Sequence, residues 1–201
     1  MVVDQIRKNG GDALAVKVDC VNEGEVGLLS IHPWMARKID VLVLNHGAYN
    51  RVAADELTIE TLRETMAVNF EGSVAIWKAI QPHLSDKARM VVVGSQLGTR
   101  GSPHGADYSA SKAALTVWAR SLAQQVGPEG KRVNILAPGY VDTAILAGDS
   151  QSKRKQREDE VPLKRVGTPE DMASTIAFLV GDDSAYVTGS IIHVNGGLYL
   201  P

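Results

Sequence analysis

Met90-Val-Val-Val-Gly-Ser95, then Ala106-Asp-Tyr-Ser-Ala-Ser-Lys112 opening a helical stretch that runs to Val126, then Arg132-Val-Asn-Ile-Leu-Ala137, decide the fold. Two near-continuous Val/Ile/Leu runs flank one long helix, and such runs suit strands covered on both faces. Strand, crossover helix and strand form a βαβ unit with parallel pairing. Outward from it the pattern repeats. Residues 13–19, 40–45, 89–95, 132–137 and 190–194 read as strands. Residues 22–38 (weakened by Pro33), 59–84, 106–126 and 169–180 read as helices between them. Thr168 is the natural N-cap of the last helix, with Pro169 in its first turn and Glu170 and Asp171 at its positive end. Gly127-Pro128 stops the long helix. The alternation predicts an α/β, Rossmann-like, doubly wound parallel sheet in a single domain over 1–201.

Composition narrows the function. A 201-residue chain with 44% hydrophobic and 22% charged residues has the make-up of one globular domain. A net charge of −2 lacks the basic surplus of a nucleic-acid binder. No apolar run approaches the ~18 residues of a membrane span, and the start has no signal-peptide core, so a cytoplasmic protein is expected. The single cysteine, Cys20, suits a reducing compartment and reads as a small buried hydrophobe. The five histidines show no zinc-site spacing, so no metal is assigned.

Tyr108 and Lys112 lie four apart, on one face of the long helix and about one turn from each other. An ammonium there favours phenolate and pulls the phenol down from ~10 towards the working range of an acid/base catalyst. Ser95 closes a strand, at the sheet edge where open α/β folds collect ligands. Tyr-x-x-x-Lys alone is common on solvated helices; the serine thirteen residues upstream, followed by Gly98, gives the pair meaning as a carbonyl/alcohol centre.

These residues resemble the short-chain dehydrogenase/reductase family, in order across nearly the whole chain. Asn45-His-Gly-Ala48 stands at the turn after the family's fourth strand, and Val68-Asn69-Phe-Glu-Gly72 carries its helix asparagine. Ser95, Tyr108 and Lys112 match the catalytic residues, Pro138-Gly139-Tyr-Val141-Asp-Thr143 the nicotinamide-side loop, and His193-Val-Asn-Gly-Gly197 the last strand and turn. The tail looks most like the 3-oxoacyl-carrier-protein reductases. The resemblance implies an NAD(P)-dependent oxidoreductase, with NADP(H) favoured, that interconverts a carbonyl and an alcohol. Tyr108 would exchange the proton, Ser95 hold the substrate oxygen, Lys112 reach the nicotinamide ribose, and Asn69 bind water in a relay, a structural role for Asn69 being the alternative. Asp19, Asn45 and Gly47 would border the adenine side; Pro138, Gly139, Val141 and Thr143 would embrace the carboxamide. Residues 144–165 would form a substrate lid, its basic run Lys153-Arg-Lys-Gln-Arg157 facing either solvent or an acidic carrier or phosphate-bearing substrate, the substrate being a small carbonyl or alcohol or an acyl-carrier-linked one. Leu97, His104, Tyr140 and Ile145 are candidates for lining the pocket. A homodimer or homotetramer is implied, through the helices around 65–84 and 106–126, which carry Ile76, Trp77, Ile80, Val117, Trp118 and Leu122.

One family feature is missing. A dinucleotide fold opens with a strand and a glycine-rich turn whose helix N-terminus receives the pyrophosphate. Gly10-Gly11 follows a helix and precedes a strand, so it reads as a helix stop. By the family's order Met1 falls within the helix after the second strand, and the sheet is expected to lack its first two strands and the glycine-rich turn. Weak cofactor binding by this chain alone is the corresponding expectation. A truncated, catalytically impaired homologue acting as an interaction or dimerisation partner is the rival to the enzyme.

Overall fold

In the computed structural model, which describes residues 2–201, the apolar run at 89–95 becomes the second of four parallel strands. Met1 lies outside the described residues. The chain order is α1 (Val2–Lys8), α2 (Glu23–Leu29), β1 (Ile39–Leu44), α3 (Ile59–Met66), a π turn (Ala67–Glu71), α4 (Gly72–Ile80), β2 (Leu84–Val93), α5 (Leu97–Arg100), α6 (Ala106–Val126), β3 (Arg132–Pro138), α7 (Gln151–Glu160), α8 (Pro169–Val180) and β4 (Ile191–Val194). The sheet runs β1-β2-β3-β4, every pair parallel.

Alternation along β2 builds both faces. Met90 and Val92 enter a core with Leu115, Ala119 and Leu122 of α6 and with Val133 and Ile135 of β3. Val91 and Val93 turn the other way, towards Leu136, Ile192 and Leu179 of α8. The doubly wound reading of the apolar runs is what the sheet shows. Each such side chain, fully buried, contributes roughly 1.5–3 kcal/mol. Behind β3, Arg132 donates to the carbonyls of Leu179, Gly181 and Val187 and to Ser184 Oγ, tying the end of α8 to the approach to β4. α8 starts in a capping box between Thr168 and Asp171, with Pro169 in its first turn.

Three expectations need correction. Residues 13–19 form no strand; they are irregular, with Leu14 and Val16 about half exposed. A strand needs a ladder partner, and among the described residues β1 pairs only with β2. Residues 22–38 are not one helix: α2 ends at Leu29, and Pro33 opens a separate short 3-10 turn over Pro33–Ala36. Residues 59–84 are helical only to Ile80. Pro82 sits in a 3-10 turn over Gln81–His83, and β2 starts at Leu84, five residues before the predicted Arg89. That early segment pairs Leu84 with Ile39 and reaches the main register through an irregularity between Ile39 and Val41. Gly10 has the left-handed φ of 83° expected of a residue stopping α1.

Gly98 sets how closely α5 approaches α6. A Cβ there would lie 2.9 Å from the Lys112 carbonyl carbon and 3.0 Å from Ala113 N, both rigid helix backbone. Gly98→Ala should therefore destabilise the fold by about 1–3 kcal/mol, read as a lower urea midpoint at unchanged slope.

Candidate active site

Where β2 ends, its backbone keeps pairing with β3: Gly94 N donates to Leu136 O (2.8 Å) and Gln96 N to Pro138 O (3.1 Å). Ser95 is held between these rungs, 8% exposed, and its Oγ accepts from Leu97 N at 3.1 Å, opening α5. α5 then crosses α6 at Gly98. Tyr108 and Lys112 occupy the first turns of α6, and Ser95 lies near enough to the Tyr108 phenol to influence its ionisation. Strand end and helix start thus meet at one place.

The electrostatics differ from the simple Tyr–Lys expectation. Lys112 is 3% exposed, its Nζ donates to Val93 O at 2.9 Å, and it sits 5.8 Å from the Tyr108 ring centre. Burial lowers its pKa to about 8. The Tyr108 phenol is pushed up rather than down: burial dominates, Ser95 opposes it, and Tyr49 adds to the rise. A raised phenol stays protonated at neutral pH, the state of a proton donor.

Asn69 is fully buried in the π turn, a geometry that recurs at functional sites. Its Oδ1 accepts from Ala48 N (2.7 Å), and its Nδ2 donates to Ala48 O (2.9 Å) and to Ser111 Oγ (3.0 Å). The Asn69 carbonyl accepts from Ser73 Oγ at 3.2 Å. These bonds fasten the loop after β1 to α6, so the side chain has a structural task. Gly47, in that loop, has a Cβ position 3.2 Å from both Asn69 Oδ1 and Lys112 Nζ, leaving the lysine approachable only because no side chain stands there. His46 Nε2 lies 3.3 Å from Ser73 Oγ; burial, then the charge of Lys112, lowers its pKa.

On the β3 side, Pro138 ends the strand and Gly139 packs so tightly on Asn195 that a Cβ would come within 2.8 Å of it. Val141 bridges to Gly167, and Thr143 Oγ1 donates weakly to Val141 O at 3.4 Å. Asn45 is exposed just beyond β1. Asp19 is exposed as well, and its Oδ1 accepts from Val21 N at 3.1 Å in a local turn before α2. The structure thus gathers Gly47, Asn69, Ser95, Tyr108 and Lys112 into one cluster and sets Pro138 beside it, while the bonds of Asp19 stay local.

Three contributors have no motif of their own. Tyr49 stacks on Tyr108, ring centres 4.7 Å apart and planes at 47°, and donates to His104 O at 2.9 Å. Thr65 donates to the fully buried Asp107 at 2.6 Å, joining α3 to the first turn of α6. Arg51 reaches Asp149 (3.2 Å) and Ile145 O (3.1 Å) in the segment after β3. The available signal for Tyr49 and Arg51 was position: both directly follow the Asn45–Ala48 turn. Among the pocket candidates, His104 and Ile145 lend carbonyls to these contacts. Tyr140 donates to Glu160 at 3.0 Å beneath the Arg157 guanidinium, and Leu97 opens α5.

The chain is similar to known proteins over nearly its whole length. Residues 2–199 match the family model described as enoyl-(acyl carrier protein) reductase. The chain is 33% identical to the 3-oxoacyl-(acyl-carrier-protein) reductase FabG of Escherichia coli over 81% of this chain and 68% of that protein. It is 37% identical to the cyclohexanol dehydrogenase of a Rhodococcus species over 98% of this chain and 77% of the relative. The fold superposes with a TM-score of 0.90 on a short chain dehydrogenase from Burkholderia cenocepacia solved in complex with NADP, at 31% identity, covering 98% of this chain and 81% of that one. A serine at a strand end, a tyrosine and lysine one helical turn apart, and a match over 2–199 place this chain in the short-chain dehydrogenase/reductase family of oxidoreductases.

Proposed function

We propose that the protein interconverts a small-molecule carbonyl and its alcohol with NAD(P)H, Tyr108 exchanging the proton. Buried Ser95 beside the Tyr108 phenol, with buried Lys112 one helical turn on, carries this reading. Ser95 and Tyr108 then present two hydroxyls to one substrate oxygen, one to hold it and one to protonate it. The backbone fits a nicotinamide on this side: Gly47 leaves Lys112 Nζ open, and Gly139 keeps the Pro138–Thr143 loop pressed on Asn195. When bound, the cofactor supplies or accepts the hydride. Lys112 would hold its ribose, Val141 and Thr143 its carboxamide, and Asn45 would border the adenine side.

Residues 144–165 would cover the substrate. The basic run on α7 offers little free charge to an acidic carrier. Arg154 pairs with Asp142, Lys155 with Asp159 and Arg157 with Asp149, while Lys153 Nζ donates to Gln156. That pairing favours a small substrate over a carrier-linked one. Association through α4 and α6 is also proposed. Ile80 and Leu122 belong to the chain's own core, but Val117 is 62% exposed and Trp77 meets Trp118 edge-on at 6.0 Å. Light scattering at tens of micromolar should give a dimer or tetramer mass, and a monomer would count against this surface.

Tyr108→Phe should lower kcat for ketone reduction by roughly 10²–10⁴ with an unchanged thermal midpoint; near wild-type turnover would refute the assignment. Lys112 gives a prediction that needs no substrate. Its folded pKa, about 8, lies below its unfolded value, so between these the unfolded chain binds more protons and stability rises with pH. Relative to Lys112→Met, the wild type should gain on the order of 3 kcal/mol between pH 8 and 10.5, measured by urea unfolding across that range. Parallel curves would show Lys112 to be as freely protonated as a surface lysine.

A further inference from the structure

The loop after β1 touches both Tyr108 and the segment that follows β3. Tyr49 lies against Tyr108 and anchors its own hydroxyl on His104 O. The fit is close: a Cβ on Gly105, the residue before α6, would overlap the Tyr49 ring. Two residues on, Arg51 reaches Asp149 with both terminal nitrogens, 3.2 and 3.3 Å, and Ile145 O at 3.1 Å. The Asp149 side chain is 5% exposed and takes a second guanidinium, that of Arg157, at 2.5 Å. Arg157 in turn stacks over Tyr140, 4.5 Å from its ring centre, in the loop leaving β3. Exposed ion pairs hold little, but a shielded carboxylate gripped by two guanidinium groups is a strong, orienting contact. Its pKa is lowered, first by the Arg157 hydrogen bond, so it remains charged near neutrality.

Resting on the proposed oxidoreductase function, we infer that Tyr49 and Arg51 are paired positioning residues. Arg51 fastens residues 144–160 over the site through Asp149 and Ile145, while Tyr49 in the same short loop braces the side of Tyr108. The covering segment then closes only on a loop that is also holding the proton donor in place. A substrate that prevents closure would meet a less well aligned acid, which makes the loop a selector of substrates as well as a brace.

Two measurements on the full chain test this without a known substrate. α7 carries Lys153, Arg154, Lys155 and Arg157, so trypsin reports whether the segment opens. Arg51→Gln should raise cleavage within α7 about tenfold under native conditions, and Arg51→Lys should restore part of the protection. An unchanged cleavage rate would overturn the latch. Ultraviolet titration of tyrosine, with Tyr108→Phe as the reference, reports the environment of the donor. Tyr49→Ala should shift the Tyr108 ionisation downward as water reaches the ring, and Arg51→Gln should shift it the same way. If Arg51→Gln opens the segment but leaves Tyr108 unmoved, the coupling is wrong. Thermal midpoints of each variant separate these outcomes from loss of the fold. Failure of the oxidoreductase reading would appear instead as no ketone reduction by the wild type, with both structural readouts intact.

Discussion

The side chain of Asn69 does what no strand pairing does in this molecule. It accepts from the amide of Ala48, donates to that residue's carbonyl and donates again to Ser111. Three elements, the loop after β1, the π turn and α6, are tied together by one buried amide. Leaving any of those groups without a partner would cost about 1–3 kcal/mol. More follows from where the lock sits: it fixes the loop bearing Gly47, Tyr49 and Arg51 against the helix bearing Tyr108 and Lys112. Tyr108, its aromatic neighbour Tyr49 and Lys112 are thereby held in one arrangement.

Burial then sets the chemistry. Lys112 and Tyr108 are removed from water together, so each is pushed towards its neutral form, the lysine down and the tyrosine up. Their proximity was expected to act mainly through charge. Desolvation outweighs it here because the ammonium is directed to the Val93 carbonyl rather than to the phenol oxygen. A phenol in this setting keeps its proton at neutral pH.

Much of this was legible in the sequence, and for physical reasons. β2 and β3 declare themselves because both their faces are covered, and α6 and α8 because Gly127-Pro128 and the Thr168 cap mark their limits. Ser95, Gly98, Tyr108 and Lys112 could be read because strand end and helix face are local properties. Residues 13–19 misled because β-like composition does not supply a neighbour. The Tyr49–Tyr108 contact and the Asp149 clamp were hidden for the opposite reason: they join residues 59 and 98 positions apart and have no periodicity to betray them.

The π turn at Ala67–Glu71 carries one more consequence. Such a turn holds one residue more than a regular helix would, so α3 and α4 are out of phase by about 100°. Thr65 can therefore face Asp107 while Trp77, further along the same rod, faces Trp118. Shortening this turn by one residue would make a more regular helix, yet it would rotate one end against the other. Only one of the two pairings could then survive. The irregularity is thus a phase adjuster: one continuous rod meets the first turn of α6 at one end and its middle at the other.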